Sequence, residues 1–159
     1  MGSIGLMRAL PSIALVLAGC VFEPPPARPP APPYAPEFTE VVYPLLLRDC
    51  GFPDCHGSSE RFFRVFGPGR TRMDGLGLMV TDPRNEMEVR ASYERARSML
   101  ASSLSAEESL LVRKPLEVDR GGAPHLGIDP LGQDVYRSTD DPGYQALLAW
   151  ARRGFGEAP

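Results

Sequence analysis

The chain has 159 residues, with 17 basic and 20 acidic side chains and a formal net charge of −3. This length predicts one folded domain, or two at most. The near-balanced charge excludes a strongly basic nucleic-acid-binding protein, because phosphate binding requires a concentrated cationic surface. With 43% hydrophobic residues, the chain is too apolar to be disordered throughout.

The N-terminus has the pattern of an export signal. Residues 1–19 carry one charged side chain, Arg8, followed by an apolar run that is too short to span a bilayer as a helix. The run ends in Leu-Ala-Gly-Cys, which resembles the lipobox of bacterial lipoproteins. This resemblance implies cleavage before Cys20, its lipidation, and an envelope location. The outer membrane is favoured because Val21 rather than Asp follows the cysteine. An ordinary secretory signal is the alternative.

The segment 20–37 is predicted to be a lipidated cysteine followed by a proline-rich linker. Eight of the 18 prolines lie between positions 24 and 36. Proline fixes φ and lacks a backbone donor, so the segment favours extended polyproline II and spans on the order of 50 Å. We expect it to hold a domain at 38–159 away from the membrane.

The first part of this domain alternates predicted helices and loops. The stretch 38–49 has apolar residues at helical spacing, and a proline after Tyr43 predicts that the helix begins or is kinked there. The stretch 86–103 is rich in helix-forming residues and lacks Pro and Gly. The glycine-rich stretches 67–77 and 119–139 are predicted loops.

The second part contains two further helical signals. The stretch 105–116 opens with a capping box at Ser105, three residues before a glutamate, and continues with an apolar run. In the last helix, Asp141 can cap the N-terminus, Pro142 suits the first position, and Gly154 is the expected end. Strand patterns are few. The predicted fold class is therefore mostly α, a small helical domain with long Gly/Pro loops.

The most informative residues are Cys50, Cys55 and His56. Two cysteines followed immediately by histidine are typical of c-type haem attachment. In such sites the thiols form thioethers with the haem vinyl groups, and the histidine ligates iron from the proximal side. The covalent tether then sets the imidazole beneath the iron.

This motif, the helix before it and a final helix containing LLAWARRG resemble the cytochrome c-like domains common in secreted proteins of myxobacteria and planctomycetes. The resemblance covers 38–154 and is concentrated at both ends and at 109–115 (SLLVRKP). It implies a class I-like cytochrome fold, covalent haem c, and one-electron exchange with an unknown partner protein rather than enzymatic turnover. Four residues separate the cysteines where two are usual, a spacing found in some multihaem cytochromes.

The second axial ligand of the iron has few candidates. His125 is the remaining histidine, and the resemblance implies a histidine after a KP…GG stretch, here 114–115 and 121–122. His125 is therefore the favoured distal ligand, which would give a lower potential than a methionine. An open or water-bound position is one alternative. The other is a methionine: Met73, Met79 or Met87.

Two haem-free interpretations use the same residues. A Cys50–Cys55 disulfide would make the chain a lipid-anchored structural or binding module, in which both histidines are incidental. A Cys₂His₂ zinc site is disfavoured, because the adjacent Cys55 and His56 are awkward ligands for one tetrahedral ion. Catalytic residues are not indicated by any Ser-His-Asp order, phosphate loop or carboxylate pair in the sequence.

Overall fold

The structure is a computed structural model that describes residues 1–2, 35–126 and 134–158. Most of the predicted signal segment, Cys20 and the linker up to residue 34 lie outside the described residues. Within the described ranges, no helix combines the length and apolar character needed to cross a membrane.

The described part of the chain is helical, as predicted: helix accounts for 41% of it and β-structure for 2%. Its only β pairing is an isolated parallel bridge between Leu116 and Tyr136. The elements in chain order are α1 (Ala35–Glu37), a π-helical stretch (Phe38–Val42), α2 (Tyr43–Asp49), α3 (Glu86–Ser98), α4 (Leu110–Arg113), a 3₁₀ turn (Val118–Arg120) and α5 (Pro142–Phe155).

The π-helical stretch is the way the first helix accommodates its proline. An α-helix does begin at Tyr43, as predicted, but it continues a helical segment that already starts at Ala35, inside the predicted linker. The backbone N–H of Tyr43 donates to the carbonyl of Phe38, five residues back. Pro44 then lies in the first turn of α2, where its missing N–H costs nothing.

The caps of the last helix follow the sequence signals closely. The Asp141 side chain accepts the Gly143 N–H at 2.8 Å, and Pro142 is the first helical residue. The helix ends at Phe155, just beyond the expected Gly154. It is Gly156, with φ of 72°, that supplies the left-handed residue after the end.

Two other helix boundaries differ from prediction. The helix α3 ends at Ser98 rather than at residue 103, and Asn85 caps its start by accepting the Met87 N–H at 2.8 Å. The Ser105 hydroxyl accepts the Glu108 N–H at 3.3 Å, as a capping box requires. That bond closes only a turn, and the helix α4 begins later, at Leu110.

The core joins the first helical segment to α3 and α5. Phe38 lies with its ring centroid 5.3 Å from that of Trp150 in α5 and 5.3 Å from that of Tyr93 in α3. Phe38 and Trp150 are fully buried. Aromatic pairs of this kind add about 0.5–1.5 kcal/mol to the free energy gained from burial. The chain that leads into the cysteine motif is thereby fixed against the last helix.

A buried ion pair organises the long loop before α3. The guanidinium of Arg72 lies 2.8 Å from a carboxylate oxygen of Glu88, and the two side chains are 7% and 0% exposed. Arg72 also donates to the carbonyls of Met79, Asp82 and Pro83. The hydrogen bonds from Arg72 to Glu88 raise the pKa of this guanidinium. Polar side chains on one face of α3 thus order a loop that lacks regular structure.

Candidate functional site

A cavity of about 390 Å³ lies beyond the C-terminal end of α2. All four cofactor-binding and metal-ligating residues predicted from the sequence line it: Cys50, Cys55, His56 and His125. Its volume is within the ~300–1,000 Å³ of typical small-molecule sites. Most of the other lining is apolar and comes from α2, α4, α5 and the loops, including Leu46, Phe63, Met99, Leu111, Val135 and Leu147.

The cysteine motif is a tight loop that continues from α2. The Cys50 N–H still bonds to the helix, and the carbonyl of Cys50 accepts the His56 N–H at 3.0 Å. Gly57, directly after His56, packs against Gly51 at the start of this loop. A Cβ there would lie 2.8 Å from both the Gly51 carbonyl and the Thr71 hydroxyl. A glycine after His56 is therefore required sterically, because a larger residue at position 57 would push away Gly51 and Thr71.

Both cysteines of the motif are free thiols and are not joined to each other. Cys50 is buried and Cys55 is half-buried. Burial, and then the negative charge of Asp49, raise the pKa of Cys50 to about 12. The phenol of Tyr136 donates to Asp49 at 3.0 Å, so this carboxylate is held beside Cys50. Cys50 thus stays protonated at neutral pH.

This environment predicts that Cys50 alkylates very slowly. With a pKa of about 12, the thiolate fraction at pH 8 is roughly a thousandfold below that of an ordinary cysteine. In the haem-free chain, reduced and then freed of reductant, mass spectrometry should show iodoacetamide modifying Cys55 first. The same reaction in urea is the control, because unfolding should bring Cys50 to an ordinary rate. Equal rates in the folded chain would contradict the buried position of Cys50.

His56 is held by a hydrogen bond that leaves one ring nitrogen available. Its Nδ1 lies 2.7 Å from the carbonyl oxygen of Phe63, and the Phe63 ring packs edge-on at 4.7 Å between centroids. Since a carbonyl only accepts, Nδ1 carries the proton and Nε2 presents its lone pair. Burial lowers the pKa of His56, assisted by His125 and the positive Arg61. At neutral pH the ring is therefore in the neutral form that binds metals.

The loop that carries His125 is attached to the end of α4. The Ala123 N–H donates to the carbonyl of Arg113 at 2.9 Å. The ammonium of Lys114 donates to the carbonyl of Pro124, directly before the histidine, at 2.6 Å. Gly122 is required here, because a Cβ at this position would overlap the carbonyl of Leu116. The KP and GG elements of the sequence thus come together to position His125.

The two imidazoles lie close to each other and nearly parallel. Their ring centroids are 5.8 Å apart and their planes differ by 17°. Two metal–nitrogen bonds of ~2.0–2.1 Å and the radii of two imidazole rings add to on the order of 6 Å. The Nδ1 of His125 is buried without a hydrogen-bond partner, and burial lowers the pKa of this ring. The spacing of the two rings is thus compatible with two neutral nitrogen ligands of one iron, and Nδ1 of His56 has an outer hydrogen bond.

The methionines do not follow the order that the sequence suggested. Met73, Met79 and Met87 are absent from the lining of the cavity, and the last two are largely exposed. Met99, the residue directly after the end of α3, lines it instead. Met99 was not among the methionines that the sequence indicated as candidate ligands.

The site has no clustered metal-binding set of the zinc type. Within the described ranges, no group of three or more His, Cys, Asp or Glu side chains could hold a metal ion. Two thiols and two imidazoles are instead spread around an apolar volume, which suits a large organic cofactor. No model of a protein family, no curated protein and no solved structure matches this chain, so its function has to be inferred from these residues.

Proposed function

We propose that this chain is an envelope-anchored, cytochrome c-like lipoprotein that binds one haem covalently and carries single electrons. The supporting observation is that all the cysteines and histidines of the described ranges, Cys50, Cys55, His56 and His125, line one largely apolar cavity. The lipid anchor at Cys20 and the outer membrane as its location rest on the lipobox pattern alone.

Each residue of the site has a role in this proposal. Cys50 and Cys55 would hold the haem by thioether bonds, and His56 and His125 would be the proximal and distal ligands. The bound haem would supply a reversible one-electron couple. The carbonyl of Phe63 fixes the His56 ring and raises the basicity of its free nitrogen.

The surroundings of the site favour electron transfer over catalysis. Most of the side chains that line the cavity are apolar and offer no acid or base to a substrate. The thiols and imidazoles hold a cofactor, and the neighbouring Asp49 is already engaged by Tyr136 and Arg48. We therefore expect a carrier that exchanges electrons with a partner protein, and not an enzyme.

The test is an absorption spectrum of the full chain, exported from a host that attaches haem to cysteines separated by four residues. We expect sharp α and β bands after reduction by dithionite, and colour that stays with the protein in acid–acetone extraction. A variant in which both Cys50 and Cys55 are alanine is the control and should lose its haem on extraction. A colourless wild-type protein without free thiols would instead identify the haem-free disulfide module.

A further inference from the structure

Two cations line the otherwise apolar cavity. Arg61 and Lys114 join the thiols and imidazoles in the lining. The other lining side chain with a full charge is Asp49, which lies 2.6 Å from Arg48 and accepts the Tyr136 hydroxyl at 3.0 Å. Asp49 is thus neutralised from outside the cavity. The charge that the described lining offers to a ligand is therefore positive.

Each cation lies on a segment of the chain that also positions one of the two imidazoles. Arg61 is exposed and lies in the loop between His56 and its hydrogen-bond partner Phe63. Lys114 donates one N–H to the carbonyl of Pro124 and has two further N–H donors. Both cations line the same cavity as the two imidazoles. They therefore belong to the same site as the ligands.

We propose that Arg61 and Lys114 bind the two carboxylates of the haem, so that the cavity selects a dianionic macrocycle over a neutral one. The inference rests on the proposed function. It adds to that function the groups of the cofactor that the protein recognises, its two carboxylates. A guanidinium pairs with a carboxylate through two parallel hydrogen bonds, and an ammonium acts as a mobile point charge. Because Arg61 is exposed, its pairing with a carboxylate requires little desolvation.

The apolar part of the cavity complements these charges. Leucines of α2, α4 and α5, together with Phe63, enclose the volume beside the imidazoles. A ligand that is apolar over most of its area and carries two carboxylates matches both the apolar and the cationic part of the lining. A neutral ligand of the same shape would leave Arg61 and Lys114 unpaired.

The experiment compares Fe(III) protoporphyrin IX with its dimethyl ester, in which the carboxylates are neutral. The full chain is produced in a host without haem-attachment machinery, and binding of each compound is followed by its Soret band in the same detergent. We expect the diacid to bind ~10-fold more tightly than the diester, a preference that should shrink at high salt. Arg61→Gln and Lys114→Gln should each reduce this preference roughly threefold.

Arg90→Gln is the matched control, because Arg90 is an exposed arginine that lines a different hollow, between α1 and α3. It should leave the preference unchanged. Equal binding of diacid and diester, or a preference that survives in Arg61→Gln and Lys114→Gln, would overturn the assignment of these cations while leaving haem binding intact. Failure of both compounds to bind would overturn the proposed function as well. Arg61→Gln is the safer variant, since Lys114 also holds the loop of His125.

Discussion

Replacement of Glu88 by alanine should lower the free energy of unfolding by about 3–5 kcal/mol, because a buried charge loses its partner. Arg72 would keep its guanidinium at 7% exposure without the carboxylate that now lies 2.8 Å away. Glu88 also accepts the backbone N–H of Met73 at 2.9 Å. This donor would lose its partner too. Urea denaturation followed by circular dichroism measures the change.

The matched control for this variant is Glu86→Ala, on the same helix but exposed. It should change the free energy of unfolding by no more than about 1 kcal/mol, as is usual for exposed charges. The double variant Arg72→Met/Glu88→Leu removes both charges, and it should recover much of the loss seen in Glu88→Ala. If Glu88→Ala behaved like Glu86→Ala, the ion pair would not organise the loop.

The ion pair also supports the candidate site through the loop that it orders. Two residues before Arg72, the Arg70 guanidinium donates to the carbonyl of Leu47 in α2 at 2.6 Å. Between them, the Thr71 hydroxyl donates to the carbonyl of Gly57 at 2.7 Å. The loop thus contacts the chain on both sides of the cysteine motif, at Leu47 before it and at Gly57 after it. A loss of the Arg72–Glu88 pair should loosen the surroundings of His56 as well as the fold.

Local signals were sufficient to predict the start of α5 and to single out four side chains, Cys50, Cys55, His56 and His125, that line one cavity. The Asp141 cap depends on a side chain that bonds within two residues, and Cys55 and His56 are adjacent in sequence. His125 was favoured because few alternatives existed and because the resemblance implied a histidine there. Such inferences are possible where the interaction, or the list of candidates, is short.

The features that the sequence did not predict depend on contacts between distant parts of the chain. The phenol of Tyr136 reaches Asp49 across 87 positions, and Glu88 meets Arg72 across 16. The approach of Met99 to the cavity depends on where α3 ends in space. The π-helical stretch reflects competition between a proline and burial of Phe38 and Val42. The periodicity of apolar residues in the sequence does not predict these long-range contacts or the π-helical stretch.

The haem-loaded chain should lose its low-spin spectrum when His56 is replaced by alanine, while export and thioether attachment persist. Of the two proposed ligands, His56 is the one whose Nδ1 is hydrogen-bonded to the carbonyl of Phe63. Loss of such outer hydrogen bonds lowers metal affinity by ~10–100-fold. Spectra of the oxidised and reduced protein, with mass spectrometry for attached haem, measure the effect. Identical spectra of His56→Ala and wild type would show that proximal ligation by His56 is wrong.

His125→Ala is the informative comparison, because the two rings are not equivalent. Nδ1 of His125 is buried without a partner, so this ligand lacks the support that Phe63 gives to His56. We expect His125→Ala to convert the iron to high spin or to admit carbon monoxide, and added imidazole to restore the low-spin spectrum. An unchanged spectrum would instead point to Met99, the methionine that lines the cavity. Met99→Leu would then produce the change expected of His125→Ala, because the thioether is the other soft ligand within the described lining.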